Sequence, residues 1–170
     1  MSDGEQAVFR WINRLPGWLE RPMWALQLLG VLVTPLVFAL GALIARRWRL
    51  ALALAALAPL KLIAEREVLK KLVERQRPGQ NEPGAILREV PPAGLSFPSG
   101  HAIIAIGIAT LLWPYLGRTG RVVAVLVSLG VCVARVYLGA HNPLDVVAGA
   151  GLGLLLGGLL TLVVGVRTRR

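Results

Sequence analysis

Three cations, two histidines and one aspartate recur in this chain at spacings that could serve one reaction. Lys70 and Arg77 sit seven residues apart in "KKLVERQRP". Seven residues turn an α-helix by about 700°, so on one continuous helix both side chains point the same way, two turns apart. Such a pair can hold one anion. Ser99 and Gly100 precede His101 in "FPSGH", where a long apolar run begins. A helix opening there would offer free N–H groups and the positive end of its dipole to a phosphate. Arg135 stands in otherwise apolar sequence, where a buried charge is costly and needs an anionic partner. His141 and Asp145 are four apart. Asn142 and Pro143 between them read as a helix start, which puts Asp145 in the first turn, within reach of the imidazole.

Cations of this kind can neutralise a phosphate and its pentacoordinate transition state. One histidine can attack phosphorus while a nearby carboxylate fixes its tautomer and stabilises the charged form. The other can protonate the leaving oxygen. No metal site is expected. Two histidines and an aspartate could in principle hold zinc, but three neighbouring cations oppose a divalent ion.

The elements that must position these groups are written in the hydropathy. The chain has 170 residues, 55% of them hydrophobic, with a mean hydropathy of +0.64, which points to a compact membrane protein. Five spans are expected: residues 23–45, a second from Leu50, and three more at about 102–117, 122–139 and 146–166. The second helix should leave the membrane and continue to Arg77, stopped by Pro78 and Gly79. Residues 78–98 then form a long polar loop with five prolines, and a loop of that length usually has work to do. Before the spans, Ala7, Val8, Trp11, Ile12, Leu15, Trp18 and Leu19 share one helical stripe, opposite Arg10, Asn13, Arg14 and Gly17. That pattern reads as a helix lying in the bilayer interface; the alternative is a helix packed on the protein's own surface. The expected architecture is an all-α membrane bundle of about five transmembrane helices. Residues 1–22 form an interfacial amphipathic helix, and residues 23–170 the transmembrane domain.

Five spans put loops 66–101 and 139–145 on one side. The other side carries Arg46, Arg47, Arg49, Arg118, Arg121, Arg167, Arg169 and Arg170 without an acid. Short basic loops belong in the cytoplasm. The expected location is therefore the cytoplasmic (plasma) membrane, with the polar loops facing the extracytoplasmic side. This orientation accounts for the net charge of +10 better than a nucleic-acid partner does, because no aromatic-interleaved basic face is present. Cys132 is the sole cysteine, which excludes an internal disulfide, and its apolar surroundings read as inert burial. No cleavable leader is expected, since the first apolar stretch follows about 20 amphipathic residues without a small-residue cleavage site. Gly149, Gly153 and Gly157 recur every four residues and allow close helix contact. Packing within the bundle is favoured over a dimer seam, which leaves homo-oligomerisation open.

The segments "KKLVERQRP", "PSGH" and "RVYLGAHNPLD" resemble the three signature motifs of the type 2 phosphatidic acid phosphatase (PAP2) family in residue type, spacing and order. The resemblance covers about residues 50–166. It implies that Lys70, Arg77 and Arg135 bind phosphate oxygens, helped by the Ser99 hydroxyl and the Gly100 amide. It implies that His141 is the nucleophile that forms a phosphohistidine, that Asp145 orients it, and that His101 is the acid for the leaving group. The implied activity is metal- and cofactor-independent hydrolysis of a lipid phosphate or diphosphate: a polyprenyl diphosphate, a polyprenyl-phosphosugar phosphate or a phosphatidic acid. One departure shows, since the third motif often begins Ser-Arg and here Ala134 precedes Arg135. Two rival readings are a lipid phosphotransferase using the same phosphohistidine and a non-enzymatic protein that binds lipid head groups.

Other charged residues have blander readings. Lys61 lies nine residues before Lys70, about 900° around a helix, and should face away from it, paired with Glu65. The run of Glu65, Arg66, Glu67, Lys71, Glu74 and Arg75 reads as a solvated helix face. Tyr137 and Trp113 read as packing or interface aromatics.

Overall fold

The computed structural model describes residues 1–165 apart from Glu89 and Pro92. Among the described residues every regular element is a helix, and the one extended pairing is an isolated bridge between Gln76 and Leu95. The order is α1 (Asp3–Asn13), α2 (Glu20–Gln27), α3 (Thr34–Ile44), α4 (Trp48–Leu62), α5 (Lys70–Val73), α6 (Pro78–Asn81), α7 (Gly100–Leu112), α8 (Arg118–Tyr137) and α9 (Pro143–Val163).

Two helices, α8 and α9, are long and apolar enough to cross a membrane by themselves. The expected straight span over 23–45 is instead a bent pair, with segments Gly17–Gly30 and Thr34–Ile44 inclined at 61°. Pro35 supplies a reason: its ring cannot coexist with a helical carbonyl at Val31, so the helix must restart at Thr34. The Thr34 hydroxyl closes the break by donating to the Leu28 carbonyl at 3.0 Å. Gly30, at the break, lies so close to α7 that a Cβ there would stand 2.8 Å from the His101 Cβ.

The second helix also departs from expectation. After α4 the chain passes through a π-helical segment, Ile63–Leu69, and α5 ends at Val73. Glu74 turns left-handed at φ +46°, well before Pro78. Arg77 therefore lies beyond the helix, in extended backbone.

The centre of the bundle is the seam between α7 and α9. A Cβ at Gly149, Gly153 or Gly157 would come within 2.5 Å of the Ser99 carbonyl, 2.6 Å of the Ile103 carbonyl and 2.8 Å of the Thr110 Cβ respectively. The glycine stripe is thus spent inside the bundle, where the two backbones approach. Leu54 and Leu57 of α4 join Ile104, Ile108 and Leu111 of α7 in the apolar core. Outside, Leu36, Val37 and Leu40 of α3, Val122, Leu126 and Leu129 of α8, and Val147, Leu154 and Leu155 of α9 are exposed. An apolar surface of this extent on a folded chain suits lipid, not water.

At one end of the bundle Arg47 sits over the Tyr115 ring at 4.3 Å, and Arg49 donates to the Gly165 carbonyl at 3.3 Å. The α3–α4 turn, the end of α7 and the end of α9 therefore meet there. Arg167, Arg169 and Arg170 lie outside the described residues. At the other end α1 straps the polar loops. Its Trp11 is 72% exposed, while Phe9 and Asn13 on the other side are buried. Asn13 donates to the carbonyls of Ile86 and Tyr137 at 2.9 Å and accepts the Ile86 amide at 2.8 Å. The helix is shorter than the stripe, ending before Pro16. It presents one face to the protein and another outward.

Candidate active site

Two helix starts build the floor of the site. Ser99 caps α7, and its amide donates to the Asp145 carbonyl at 2.9 Å, tying the start of α7 to the first turn of α9. Asp145 is fully buried there; its Oδ2 accepts the Asn142 amide at 2.7 Å, which fixes the carboxylate under His141. His141 Nδ1 stands 3.8 Å from the same oxygen. The expected helix start at Asn142–Pro143 and the proximity of Asp145 to the imidazole are both found. The distance is longer than a hydrogen bond.

The cations arrive from separate segments. Arg77 donates to the Ala140 carbonyl at 2.8 Å, next to His141 in the chain. Arg135, near the end of α8, is buried and donates through Nη1 to the Gln27 side-chain oxygen. Arg77 and Arg135 are near enough to act electrostatically on each other and on His141. His101, in the first turn of α7, lies in the field of Arg135, His141, Lys61 and Arg77. Lys70 is held by Glu65 at 2.6 Å, and the opposite Glu65 oxygen pairs with Lys61. A Cβ at Gly100 would stand 2.5 Å from Glu65 and 2.6 Å from the Lys61 ammonium, so only glycine lets this buried triad reach the start of α7.

Several buried polar atoms here lack a hydrogen-bond partner: Ser99 Oγ, Arg135 Nε and His141 Nδ1. Buried donors and acceptors are normally satisfied, so the Ser99 hydroxyl and the Arg135 Nε–H are donors free to meet an anion. Burial pushes His141 down from the usual imidazole range to about 4. Asp145 pulls it upward, and Arg135 and Arg77 push it further down. His141 is therefore neutral, with a free lone pair, at neutral pH.

All eight residues singled out in the sequence come to this end of the bundle, but by different routes than expected. Lys70 and Arg77 do not share a helix face, because α5 stops at Val73. Lys61 does not face away from Lys70. The π-helical turns, with hydrogen bonds five residues apart, advance fewer degrees per residue, so both lysines reach Glu65. Glu65 and Arg75 are not on a solvated face either. Glu65 is buried, and Arg75 ion-pairs with Glu5 and Asp145. Glu67 and Lys71 do form the exposed pair expected of that run. Tyr137 is a packing aromatic, fully buried, with its hydroxyl donating to the Pro16 carbonyl. Among residues not foreseen, Gln27 carried a readable signal as one of three hydrogen-bonding side chains, with Trp24 and Thr34, in an otherwise apolar stretch. Glu5 carried none.

The family model for the PAP2 superfamily matches residues 46–169. The decaprenylphosphoryl-5-phosphoribose phosphatase of Mycobacterium tuberculosis is 37% identical over 60% of this chain and 55% of its own. The undecaprenyl-diphosphatase of Sulfolobus acidocaldarius is 42% identical over 51% of this chain and 42% of its own. The chain thus spans about half the length of these two relatives. Phosphatidylglycerophosphatase B of Bacillus subtilis is 30% identical over 82% of this chain and 72% of its own. Among solved structures, that of LpxE from Aquifex aeolicus superposes with a TM-score of 0.77 at 25% identity, covering 91% of this chain and 92% of the other.

Proposed function

This chain belongs to the PAP2 superfamily, and from that membership and the site we propose that it is an integral membrane phosphatase acting on a lipid phosphate or diphosphate. The observation that carries the reading is the buried, neutral His141 flanked by Asp145, Arg77 and Arg135 and by the unpartnered Ser99 hydroxyl. Phosphate oxygens would take the free hydrogen-bonding capacity of Arg135, Arg77, Ser99 and the Gly100 amide. Lys70 would join them, sharing its charge with Glu65.

His141 Nδ1 faces Asp145, so Nε2 is the atom free to attack. A bond forms from Nε2 to phosphorus as the bond to the lipid oxygen breaks. His101 donates a proton to that oxygen. Asp145 stabilises the positive imidazole that results. Water then attacks the phosphohistidine, His101 takes its proton, and inorganic phosphate leaves. Names among the relatives favour polyprenyl-linked phosphates, with phosphatidylglycerophosphate next. Five segments cross the bilayer in this reading: the bent pair from α2 to α3, then α4, α7, α8 and α9. The site faces the extracytoplasmic side, with α1 in the interface.

The test is phosphate release by purified protein over a panel of polyprenyl diphosphate, polyprenyl-phosphosugar phosphate, phosphatidylglycerophosphate and phosphatidic acid, with EDTA present. Release from at least one lipid, abolished in His141→Ala, is expected. Turnover retained by His141→Ala would sink the mechanism, and label recovered in a second lipid would make the protein a transferase. Cysteines placed at positions 85 and 119 check sidedness: labelling from outside at 85 is expected, and at 119 instead would invert the topology.

A further inference from the structure

Asp145 has a second neighbour that this mechanism leaves unused. Arg75 Nη1 stands 3.2 Å from Asp145 Oδ1, and Arg75 Nη2 donates to Glu5 Oε2 at 2.6 Å. The other Glu5 oxygen accepts the Leu144 amide at 3.0 Å, one residue before Asp145. The assembly is enclosed: side-chain exposure is 5% for Glu5, 18% for Arg75 and nil for Asp145. One guanidinium therefore lies between two carboxylates, one from α1 and one from the first turn of α9.

Resting on the reading of His141 as nucleophile, we propose that Glu5 and Arg75 are positioning residues for the Asp145–His141 pair. The N-terminal helix thereby sets the state of the catalytic dyad. The planar guanidinium can engage a carboxylate on each of two edges. While Glu5 holds one edge, Arg75 neutralises Asp145 only in part, and Oδ2 keeps negative charge for His141. Without Glu5, Arg75 has Asp145 as its remaining carboxylate, and the support for the imidazole falls. The titratable and charged groups around His141 are Asp145, Arg135, Arg77 and the His101 imidazole. Asp145 is the sole anion among them, so its effective charge decides the balance.

Glu5 is not required simply to hold α1 in place. Asn13 anchors the far end of the helix, and Gln6 and Arg10 each bind Glu82 at 2.6 Å. These contacts tie α1 to the polar loop without touching Arg75.

The experiment uses the full chain in detergent micelles with a polyprenyl diphosphate, alongside NMR titration of the His141 ring without substrate. Glu5→Gln keeps an acceptor for the Leu144 amide but loses the charge. It should lower kcat about tenfold, equivalent to about 1.4 kcal/mol of lost imidazolium support, with KM within about twofold. The acid limb of the rate profile and the His141 titration should both move to lower pH. Glu5→Asp should fall between. Arg75→Gln, which frees Asp145, should move the His141 titration to higher pH, a change of opposite sign that loosened packing does not produce. Gln6→Ala should match the wild type in kcat and in its titration. A wild-type titration in both Glu5→Gln and Arg75→Gln overturns the proposal. So does an equal loss of kcat in Glu5→Gln and Gln6→Ala with no shift in the limb. If the wild type releases no phosphate the phosphatase reading fails, and the NMR titration still decides the coupling.

Discussion

At one end of the bundle Arg46, Arg47, Arg49, Arg118 and Arg121 are exposed; at the other, Arg88 and Arg135 are buried and Arg75 and Arg77 half-buried. The residue type is the same and the surroundings are opposite. In the exposed group Arg47 lies over the Tyr115 ring and Arg121 over the Trp113 ring. The buried group is held by defined acceptors: Ala140 for Arg77, Gln27 for Arg135, Glu5 and Asp145 for Arg75, and the Tyr137 carbonyl for Arg88. Exposed arginines keep their hydration and contribute little beyond orienting the chain in a membrane. Buried ones have lost that hydration and need protein or substrate oxygens in its place. The proposed function rests on which cations are desolvated, not on how many cations there are.

The contrast is open to direct attack. The largest effect is expected from Arg135→Ala, which should lower kcat/KM by about 10²–10³-fold, the range for losing one preorganised donor at a developing charge. An effect within a few-fold in a phosphate-release assay would remove Arg135 from the site. Next is Glu65→Gln, which leaves Lys61 and Lys70 without their shared counter-charge. It should cost about 3 kcal/mol, as breaking a buried ion pair does, visible as a lower thermal midpoint in detergent.

The pH dependence follows from His141. Its folded value of about 4 lies below the ordinary 6.5, so the neutral, nucleophilic form persists to more acid pH. The acid limb of kcat/KM belongs nearer pH 4 than 6.5; a limb at 6.5 would show that burial does not depress it. The same shift implies that folding stability is fullest above about pH 6.5 and falls as pH drops toward 4, because the unfolded chain binds the proton first.

A smaller effect is expected at the seam. Gly149→Val forces α9 off the Ser99 carbonyl and should cost about 2 kcal/mol. Gly158→Ala, where a Cβ meets open space, should cost little. The smallest effect is expected from Arg118→Ala, which should leave turnover unchanged; a large loss there would break the distinction between the two ends.

Much of this was legible in the chain. Hydropathy located the helices that end up in the bundle, because burial in lipid or core demands long apolar runs. The helix starts at Ser99–Gly100 and Asn142–Pro143 were legible because capping is local chemistry. The glycine stripe in α9 was legible because small residues every four positions let two helix backbones approach, although not which two. The bend between α2 and α3 follows from Pro35, which interrupts the 23–45 apolar run. The π-helical segment was not legible, because its residues fit an α-helix equally well.

By itself, then, the sequence determined the all-helical class, the two helix starts that flank the site, and the eight residues that gather there. Each of these depends on interactions within a few residues or on hydropathy summed along a segment. The tertiary structure alone decided that Lys61 and Lys70 share Glu65, that Gln27 occupies Arg135, and that Glu5 reaches Asp145 through Arg75. Apart from the two lysines on Glu65, these partners lie 70 to 108 residues apart. They meet because desolvated charges must find counter-charges, and which one each finds is set by how helices pack.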